Sequence, residues 1–180
     1  MRRQGGFGLL EVMVSLFIAG IVIFGLLNLA GRAFIDSQSA EQKAQASLLL
    51  DSQIGMLGLM NDAQKQQFWR TILQVYQASY QQEQPIQAYA KTARLLTHAC
   101  EQQVCNDEQF AIAYAVQSVQ NAANHGLMLS VIPCDLSKQQ NARQSICLAA
   151  AWGVQAVEQI EQGCGALADL QTSCLSVAIP

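Results

Sequence analysis

Charged residues are scarce in this chain, and basic residues are fewer than acidic ones. Asp, Glu, Lys and Arg make up 13% of the 180 residues, with ten Lys and Arg against thirteen Asp and Glu. Proteins that neutralise nucleic-acid phosphates normally carry a basic excess, so the formal charge of −3 disfavours a nucleic-acid binder. Hydrophobic residues make up 51% of the chain, and many of them lie in one long run near the N-terminus. The residues that remain after this run are enough for one modest domain with a hydrophobic core.

The groups that commonly carry enzyme chemistry are also few. The chain has two histidines, His98 and His125, and no serine in a Gly-x-Ser-x-Gly motif. His98 lies close to Cys100 in the sequence, an arrangement that could form a thiol–imidazole pair, but an oxidised cysteine cannot act as a nucleophile. We therefore predict that the protein is not an enzyme and has no catalytic residue and no cofactor.

Residues 9–30 form a long apolar run whose only charge is that of Glu11. About 20 residues at ~1.5 Å each cross the ~30 Å hydrocarbon core of a bilayer. Arg2 and Arg3 precede the run, so its N-terminus is expected in the cytoplasm and its C-terminus in the periplasm. A cleavable secretory signal, the alternative, would have a shorter apolar core and a small-x-small cleavage site. The run predicts a transmembrane helix in the inner membrane.

Glu11 is unusual because a carboxylate within a membrane span is costly unless it is paired. The alternative is that Glu11 lies near the interface and reaches water. The surrounding residues favour a functional role, because they resemble the leader and start of a type IV prepilin. These residues are Arg2-Arg3-Gln4-Gly5-Gly6-Phe7-Gly8-Leu9-Leu10-Glu11.

The resemblance to type IV prepilins implies a processing site. In that family prepilin peptidase cleaves after the glycine of a short basic leader, the new N-terminus is N-methylated, and a Glu stands at the fifth mature position. Gly6 would then be the last leader residue, Phe7 the methylated N-terminus and Glu11 the fifth mature residue. Phe7 and Glu11 lie four residues apart, on one face of a helix.

This spacing has a physical reason in a filament. A newly added subunit can place its α-ammonium against the Glu11 carboxylate of a neighbour, which neutralises both charges and fixes the axial register. The resemblance implies as partners prepilin peptidase, the inner-membrane assembly platform, and other minor and major pilins. Asn28 stands where major pilins commonly carry a helix-kinking proline, and the lack of that proline favours a minor pilin or a pseudopilin. Gly8 stands where the family often has Thr, which weakens the local helix but leaves the expected cleavage unchanged.

The remaining pattern predicts an α+β fold. A helix from Phe7 to about Gly58 is expected. The resemblance to type IV prepilins implies that residues 7–31 of this helix form the membrane anchor and filament core. Three further helices are predicted: one capped by Asp62, one from Pro85 to Ala99, and one from Gln109 to about Ala123. Three short apolar or alternating segments predict a small antiparallel sheet: 127–133, 145–152 and 172–179.

The predicted organisation is a leader at 1–6, a helix at 7–58 and a disulfide-containing head at 59–180. Cysteine is absent from residues 1–99, and the six cysteines of the second half are an even number, which indicates oxidised pairs in an exported domain. One alternative is that the cysteines are reduced thiols in the core. A metal site is disfavoured because no C-x-x-C pair occurs, and we predict no metal site. The six are Cys100, Cys105, Cys134, Cys147, Cys164 and Cys174.

Six cysteines allow fifteen connectivities, so spacing alone does not decide the pairing. A pairing of near neighbours would give Cys100–Cys105, Cys134–Cys147 across a hairpin, and Cys164–Cys174. The second half also resembles minor pilins of the pilus-modification (PilV) type, through Ile146-Cys147-Leu148 with Ala151-Trp152-Gly153 and a final strand with Cys174. Members often have Asp and Trp in the helix after the first cysteine, where this chain has apolar residues and Gln.

Three functions follow from these observations. The first is a minor type IV pilin that primes assembly and acts at the pilus tip, for example in adhesion; its head would lie in the periplasm before assembly and on the cell surface afterwards. The second is a minor pseudopilin of a type II secretion system. The third is a surface-binding or DNA-binding tip module, for which four basic residues could form a patch or merely a solvated rim: Lys65, Arg70, Lys91 and Arg94.

Overall fold

The computed structural model describes residues 8–97, 100, 104–134, 146–164 and 173–179. Its elements follow the order α1 (Leu9–Leu57), α2 (Asp62–Ser79), α3 (Pro85–Leu95), α4 (Asp107–Asn124), β1 (Leu127–Pro133), β2 (Ile146–Trp152), α5 (Ala156–Glu161) and β3 (Cys174–Ala178). The predicted α+β class is confirmed, with a long N-terminal helix, further helices and a small antiparallel sheet. The chain divides into two compact units, Met1–Ala40 and Glu41–Pro180.

The described part of the first unit is helical from Leu9 onward, and its apolar side chains are exposed. Phe17, Phe24 and Phe34 each expose about 70% of their surface, at 70%, 71% and 71%. Apolar residues cover all sides of this segment, which is the composition of a helix that lies in lipid or within a larger assembly. Among the described residues, α1 is long and apolar enough to cross a membrane.

In the second unit, residues 41–57 of α1 bury one face. Ala46, Leu49, Leu50 and Leu57 are 0–5% exposed, and their spacing of three, four and seven residues is that of one helix face. They belong to the same core cluster as buried residues from the other helices and the sheet. The amphipathic half of the predicted long helix therefore contributes to the hydrophobic core.

Helices α2 and α4 both begin with a capping box. The Asn61 side chain accepts a hydrogen bond from the Gln64 N–H at 2.9 Å, and the Gln64 side chain accepts one from the Asn61 N–H at 2.9 Å. Asn106 and Gln109 repeat this arrangement at the start of α4. The prediction that Asp62 caps α2 is wrong by one residue, because the amide of Asn61 occupies the cap and Asp62 is the first helical residue.

Helix α3 ends at Leu95, earlier than the predicted Ala99. Leu96 has extended backbone geometry, with φ −74° and ψ 132°. The Gln120 amide of α4 donates to the carbonyls of Ala93 at 3.2 Å and Leu96 at 3.0 Å. A side chain from another helix thus satisfies carbonyls that would otherwise require a further helical turn. Residues 98–99, the last of the predicted helix, lie outside the described residues.

The three strands form an antiparallel sheet in the order β1-β2-β3. The central strand β2 has three adjacent alanines that are completely buried, Ala149, Ala150 and Ala151. Strand β3 ends at Ala178, one residue before the predicted end at Ile179. Two of the predicted strands begin at residues 145 and 172, which lie outside the described residues.

Helix α5, which the sequence did not predict, follows β2. It has six residues, too few for a hydrophobic period to be recognised. Gly153 precedes it with a φ of 77°, a conformation that favours glycine, and Ala156 and Ile160 are buried. Tertiary burial of these two side chains accounts for the helix.

Candidate assembly site on the N-terminal helix

Glu11 lies in the first turn of α1. Its backbone N–H donates to the Gly8 carbonyl at 2.9 Å, and its side chain is exposed. Within the described part of the chain, the carboxylate has no hydrogen-bond or ion-pair partner. The predicted cleavage and methylation positions, Gly6 and Phe7, lie outside the described residues, so the structure does not place them relative to Glu11.

The other polar side chains of residues 9–30 have partners within their own helix. The Ser15 hydroxyl donates to the Glu11 carbonyl at 2.7 Å, and the Asn28 amide donates to the Phe24 carbonyl at 3.0 Å. Such bonds to the carbonyl four residues earlier satisfy polar groups without water, which an apolar medium requires. Among the described polar side chains of this segment, the Glu11 carboxylate is the group that still needs a partner.

Asn28 also keeps the helix continuous where a proline would kink it. Asparagine retains the backbone N–H that proline lacks, and α1 runs through this position from Leu9 to Leu57. A Cβ added at Gly20, Gly25 or Gly31 would meet no described atom within 4 Å. The described residues therefore leave open space at these glycines, where another helix could approach closely.

Disulfides join all six cysteines of the second unit, in the near-neighbour pairs suggested above. Cys100 and Cys105 lie ahead of α4 with Cα atoms 5.4 Å apart. Cys134, at the end of β1, is joined to Cys147 of β2 with a Cα separation of 5.1 Å. Cys164 is joined to Cys174, the first residue of β3, with a Cα separation of 5.3 Å.

The remaining candidates do not form a second chemical site among the described residues. Cys100 contacts the Gln109 carbonyl near the start of α4, whereas His125 is exposed at the opposite end of that helix. His98 lies outside the described residues. The described residues contain no cluster of three metal-ligating side chains. Of the four basic residues considered above, Arg70, Lys91 and Arg94 are exposed and Lys65 is half-buried.

The second unit also contains a groove that no sequence pattern indicated. Tyr76 of α2 and Tyr80, which directly follows this helix, line the groove, although their helical spacing indicated only a core face. A possible signal was the hydroxyl groups of these residues, since a purely apolar face does not require tyrosine rather than phenylalanine.

The fold and the site together define a class of protein. A long exposed apolar helix with an unpaired carboxylate in its first turn, joined to an α+β unit with an antiparallel sheet, is consistent with a pilin-like fold. A family model described as the prokaryotic N-terminal methylation motif matches residues 1–27. This match to the first 27 residues supports a type IV prepilin-like protein, of the pilin or pseudopilin type.

The matched motif has consequences for processing and location. It implies cleavage by prepilin peptidase and assembly with other pilins. Together with the apolar helix it indicates membrane anchoring. Searches of curated proteins and of solved structures gave no significant match.

Proposed function

We propose that this chain is a minor type IV pilin that takes part in priming pilus assembly and is located at the pilus tip, where its head contributes to adhesion. Prepilin peptidase would cleave between Gly6 and Phe7, leaving residues 1–6 as the leader, and Phe7 would be N-methylated. The helix 7–58 would anchor the subunit, and residues 59–180 would form the head. The PilV-like subtype is part of this proposal.

The observation that carries the proposal is the Glu11 carboxylate. It is the acidic group in a segment whose described apolar side chains are exposed, and it has no partner among the described residues. The methylated α-amine of Phe7 on an adjacent subunit would supply the opposite charge. In a medium without water, this pair would favour one axial position of the neighbour over all others.

Two further features support the proposal: one favours a minor over a major pilin, and the other favours a location outside the cytoplasm. Asn28 replaces the helix-kinking proline that is common in major pilins. Three disulfides in one compact unit suit an oxidising compartment.

The test compares Glu11→Gln with Asp51→Asn in cells that make the filaments. Both substitutions remove one carboxylate of α1 with little change in shape, but Asp51 lies on the exposed side of the second unit. We expect Glu11→Gln to be processed normally yet to fall about tenfold or more in purified filaments, because the charge pair is lost. Asp51→Asn should be incorporated like the unchanged chain.

Mass spectrometry of the filaments provides both readouts. The mature chain should begin at an N-methylated Phe7, and the subunit should be found in pili. Normal incorporation of Glu11→Gln, or a mature N-terminus elsewhere, contradicts the proposal. The alternative function, a minor pseudopilin of a type II secretion system, is favoured by the same motif and the same missing proline; recovery in the secretion filament alone would establish it.

A further inference from the structure

Strand β1 has a free edge on the side away from β2. Among the described residues β1 pairs with β2 alone. The Leu129 N–H donates to the Tyr89 hydroxyl at 3.2 Å, so the main-chain N–H and C=O of Leu129 point away from β2. Because these directions alternate along a strand, the N–H and C=O of Val131 point to the same outer edge. No described residue forms a hydrogen bond with them there.

The free part of this edge opens into a groove of about 540 Å³, which we call the β1-edge groove. Its walls are formed by one side of α2, the last four residues of β1 and the end of α5. The described lining residues are Leu73, Tyr76, Gln77, Tyr80, Gln81, Ser130, Val131, Ile132, Pro133, Ile160, Glu161 and Gly163. This volume is within the range of pockets that hold a ligand of several hundred daltons.

Tyr76 supplies a second group without a partner. Its side chain is 8% exposed, and its buried hydroxyl has no hydrogen-bond partner among the described residues. Burial, with smaller contributions from the charges of Glu161 and Tyr80, raises the pKa of Tyr76 to about 12. The hydroxyl is therefore protonated at neutral pH, and the contribution of Glu161 indicates that its carboxylate lies near Tyr76.

The charge of the groove favours a cation. Among its described lining residues, Glu161 is acidic and none is basic. The rings of Tyr76 and Tyr80 stack with centroids 5.5 Å apart and an interplanar angle of 12°. Aromatic faces beside a carboxylate attract ammonium and guanidinium groups.

We propose that the β1-edge groove binds an extended peptide segment of a partner protein, which pairs with Val131 and places a lysine or arginine side chain near Glu161. A strand added to a sheet edge gains affinity from main-chain hydrogen bonds and specificity from alternate side chains. Here Val131 supplies a main-chain donor and acceptor, and Glu161 selects the basic side chain. The absence of an N–H at Pro133 limits how far the strand can extend.

The proposal names the chemistry of a partner and does not depend on the role of Glu11 in a filament. Its test uses the full chain in detergent micelles and two synthetic peptides, blocked at both ends: Thr-Val-Thr-Arg-Thr-Val-Thr and the same peptide with Glu in place of Arg. Isothermal titration calorimetry measures their affinity, and the Val131 amide resonance reports where they bind. We expect saturable one-to-one binding of the arginine peptide and at least tenfold weaker binding of the glutamate peptide.

Three variants separate the contributions. Glu161→Gln should weaken binding of the arginine peptide about tenfold, whereas Glu158→Gln, in the same helix but not among the residues that line the groove, should leave it unchanged. Tyr76→Phe is a second control: it should leave both binding and the melting temperature unchanged, because the hydroxyl it removes is buried and has no partner among the described residues.

Main-chain pairing has its own control. N-methylation of every second amide of the arginine peptide removes the hydrogen bonds along one edge of the peptide strand. Two such peptides are compared, one methylated at odd and one at even positions, and one of the two should not bind. The proposal is overturned if the arginine peptide does not bind, if both peptides bind equally, or if Glu161→Gln has no effect. It is also overturned if arginine amide alone binds as tightly as the peptide, or if the Val131 amide is already protected from exchange in the free chain.

Discussion

Two tyrosines in the core differ in what their hydroxyl groups contact. The Tyr89 hydroxyl accepts a hydrogen bond from the Leu129 N–H, and the Tyr76 hydroxyl has no partner among the described residues. A buried donor left without a partner costs about 1–3 kcal/mol, whereas removing a group that already lacks a partner does not. The same substitution should therefore have opposite consequences at the two positions.

We expect Tyr89→Phe to lower the free energy of unfolding by about 1–3 kcal/mol, because the Leu129 N–H loses its acceptor. Tyr76→Phe should leave stability unchanged or raise it slightly. Urea unfolding of both variants, followed by circular dichroism of the chain in detergent, checks the pair. Equal losses would contradict this account, because they would mean that both hydroxyls have a stabilising partner.

The buried tyrosines also predict a loss of stability in alkali. Burial raises the pKa of Tyr76 from 10.0 to about 12. Burial also raises the pKa of Tyr89 and of Tyr114. A hydrogen bond with Leu129 partly opposes the shift of Tyr89, and one with Gln53 partly opposes that of Tyr114. Because the unfolded chain releases these protons at lower pH than the folded chain, the stability contribution is complete below about pH 10. It is lost progressively between pH 10 and 12 for Tyr76.

Spectrophotometric titration of tyrosinate, combined with circular dichroism, measures this effect. Unfolding should begin above pH 10, and buried tyrosines should ionise only as the structure is lost. In Tyr76→Phe the loss of stability with rising pH should be less steep. Reversible ionisation of all tyrosines near their usual pKa, in a chain that remains folded, would contradict the prediction.

Among the secondary-structure elements, α2 and α4 share one device at their N-termini. Asn61 with Gln64 and Asn106 with Gln109 each satisfy backbone N–H groups at the first helical turn. Loss of such a cap costs about 0.5–2 kcal/mol. The helices begin where the local sequence specifies, and tertiary contacts then decide how far they extend.

Asn106→Ala should lower the free energy of unfolding by about 1 kcal/mol, because Gln109 N–H loses its acceptor. Asn121→Ala is the matched control, since Asn121 lies within α4 and is exposed. Alanine has the higher helix propensity, so this control should be neutral or slightly stabilising. Chemical denaturation of both variants gives the difference, and equal effects would exclude a capping role.

The C-terminal end of α3 and the whole of α5 show why some features were not predicted. The end of α3 depends on the Gln120 amide, which comes from α4 and is 24 residues distant from Leu96. Helix α5 depends on the burial of Ala156 and Ile160 in the second unit. Neither contact leaves a pattern in the local sequence, whereas the capping residues and the apolar period of α2 and α4 do.

At the scale of the whole molecule, the disulfides tie the sheet and its connections together. Two bridges involve the strands: Cys134–Cys147 spans 13 positions and Cys164–Cys174 spans 10, while Cys100–Cys105 spans 5. Cys147, Cys164 and Cys174 are buried, with at most 6% of their surface exposed. Bridges that close longer loops remove more freedom from the unfolded chain.

We expect the double substitution Cys134→Ala with Cys147→Ala to destabilise the second unit by about 2–4 kcal/mol, with a similar effect for the Cys164 and Cys174 pair. The matched double substitution at Cys100 and Cys105 should cost less, because its loop is the shortest and both residues are only half-buried. Thermal unfolding of the three double variants ranks the bridges. The reverse ranking would contradict this account.

The sequence by itself determined the apolar helix long enough to cross a membrane, the methylation motif and the α+β class. These are local properties: transfer of an apolar run into lipid adds residue by residue, and a peptidase recognises a short contiguous segment. Only the tertiary structure decided that β1 has a free edge, that Tyr89 covers Leu129 and that Tyr76 has no described partner. Which polar groups find partners depends on which elements meet, and elements far apart in the sequence meet only after the core has formed.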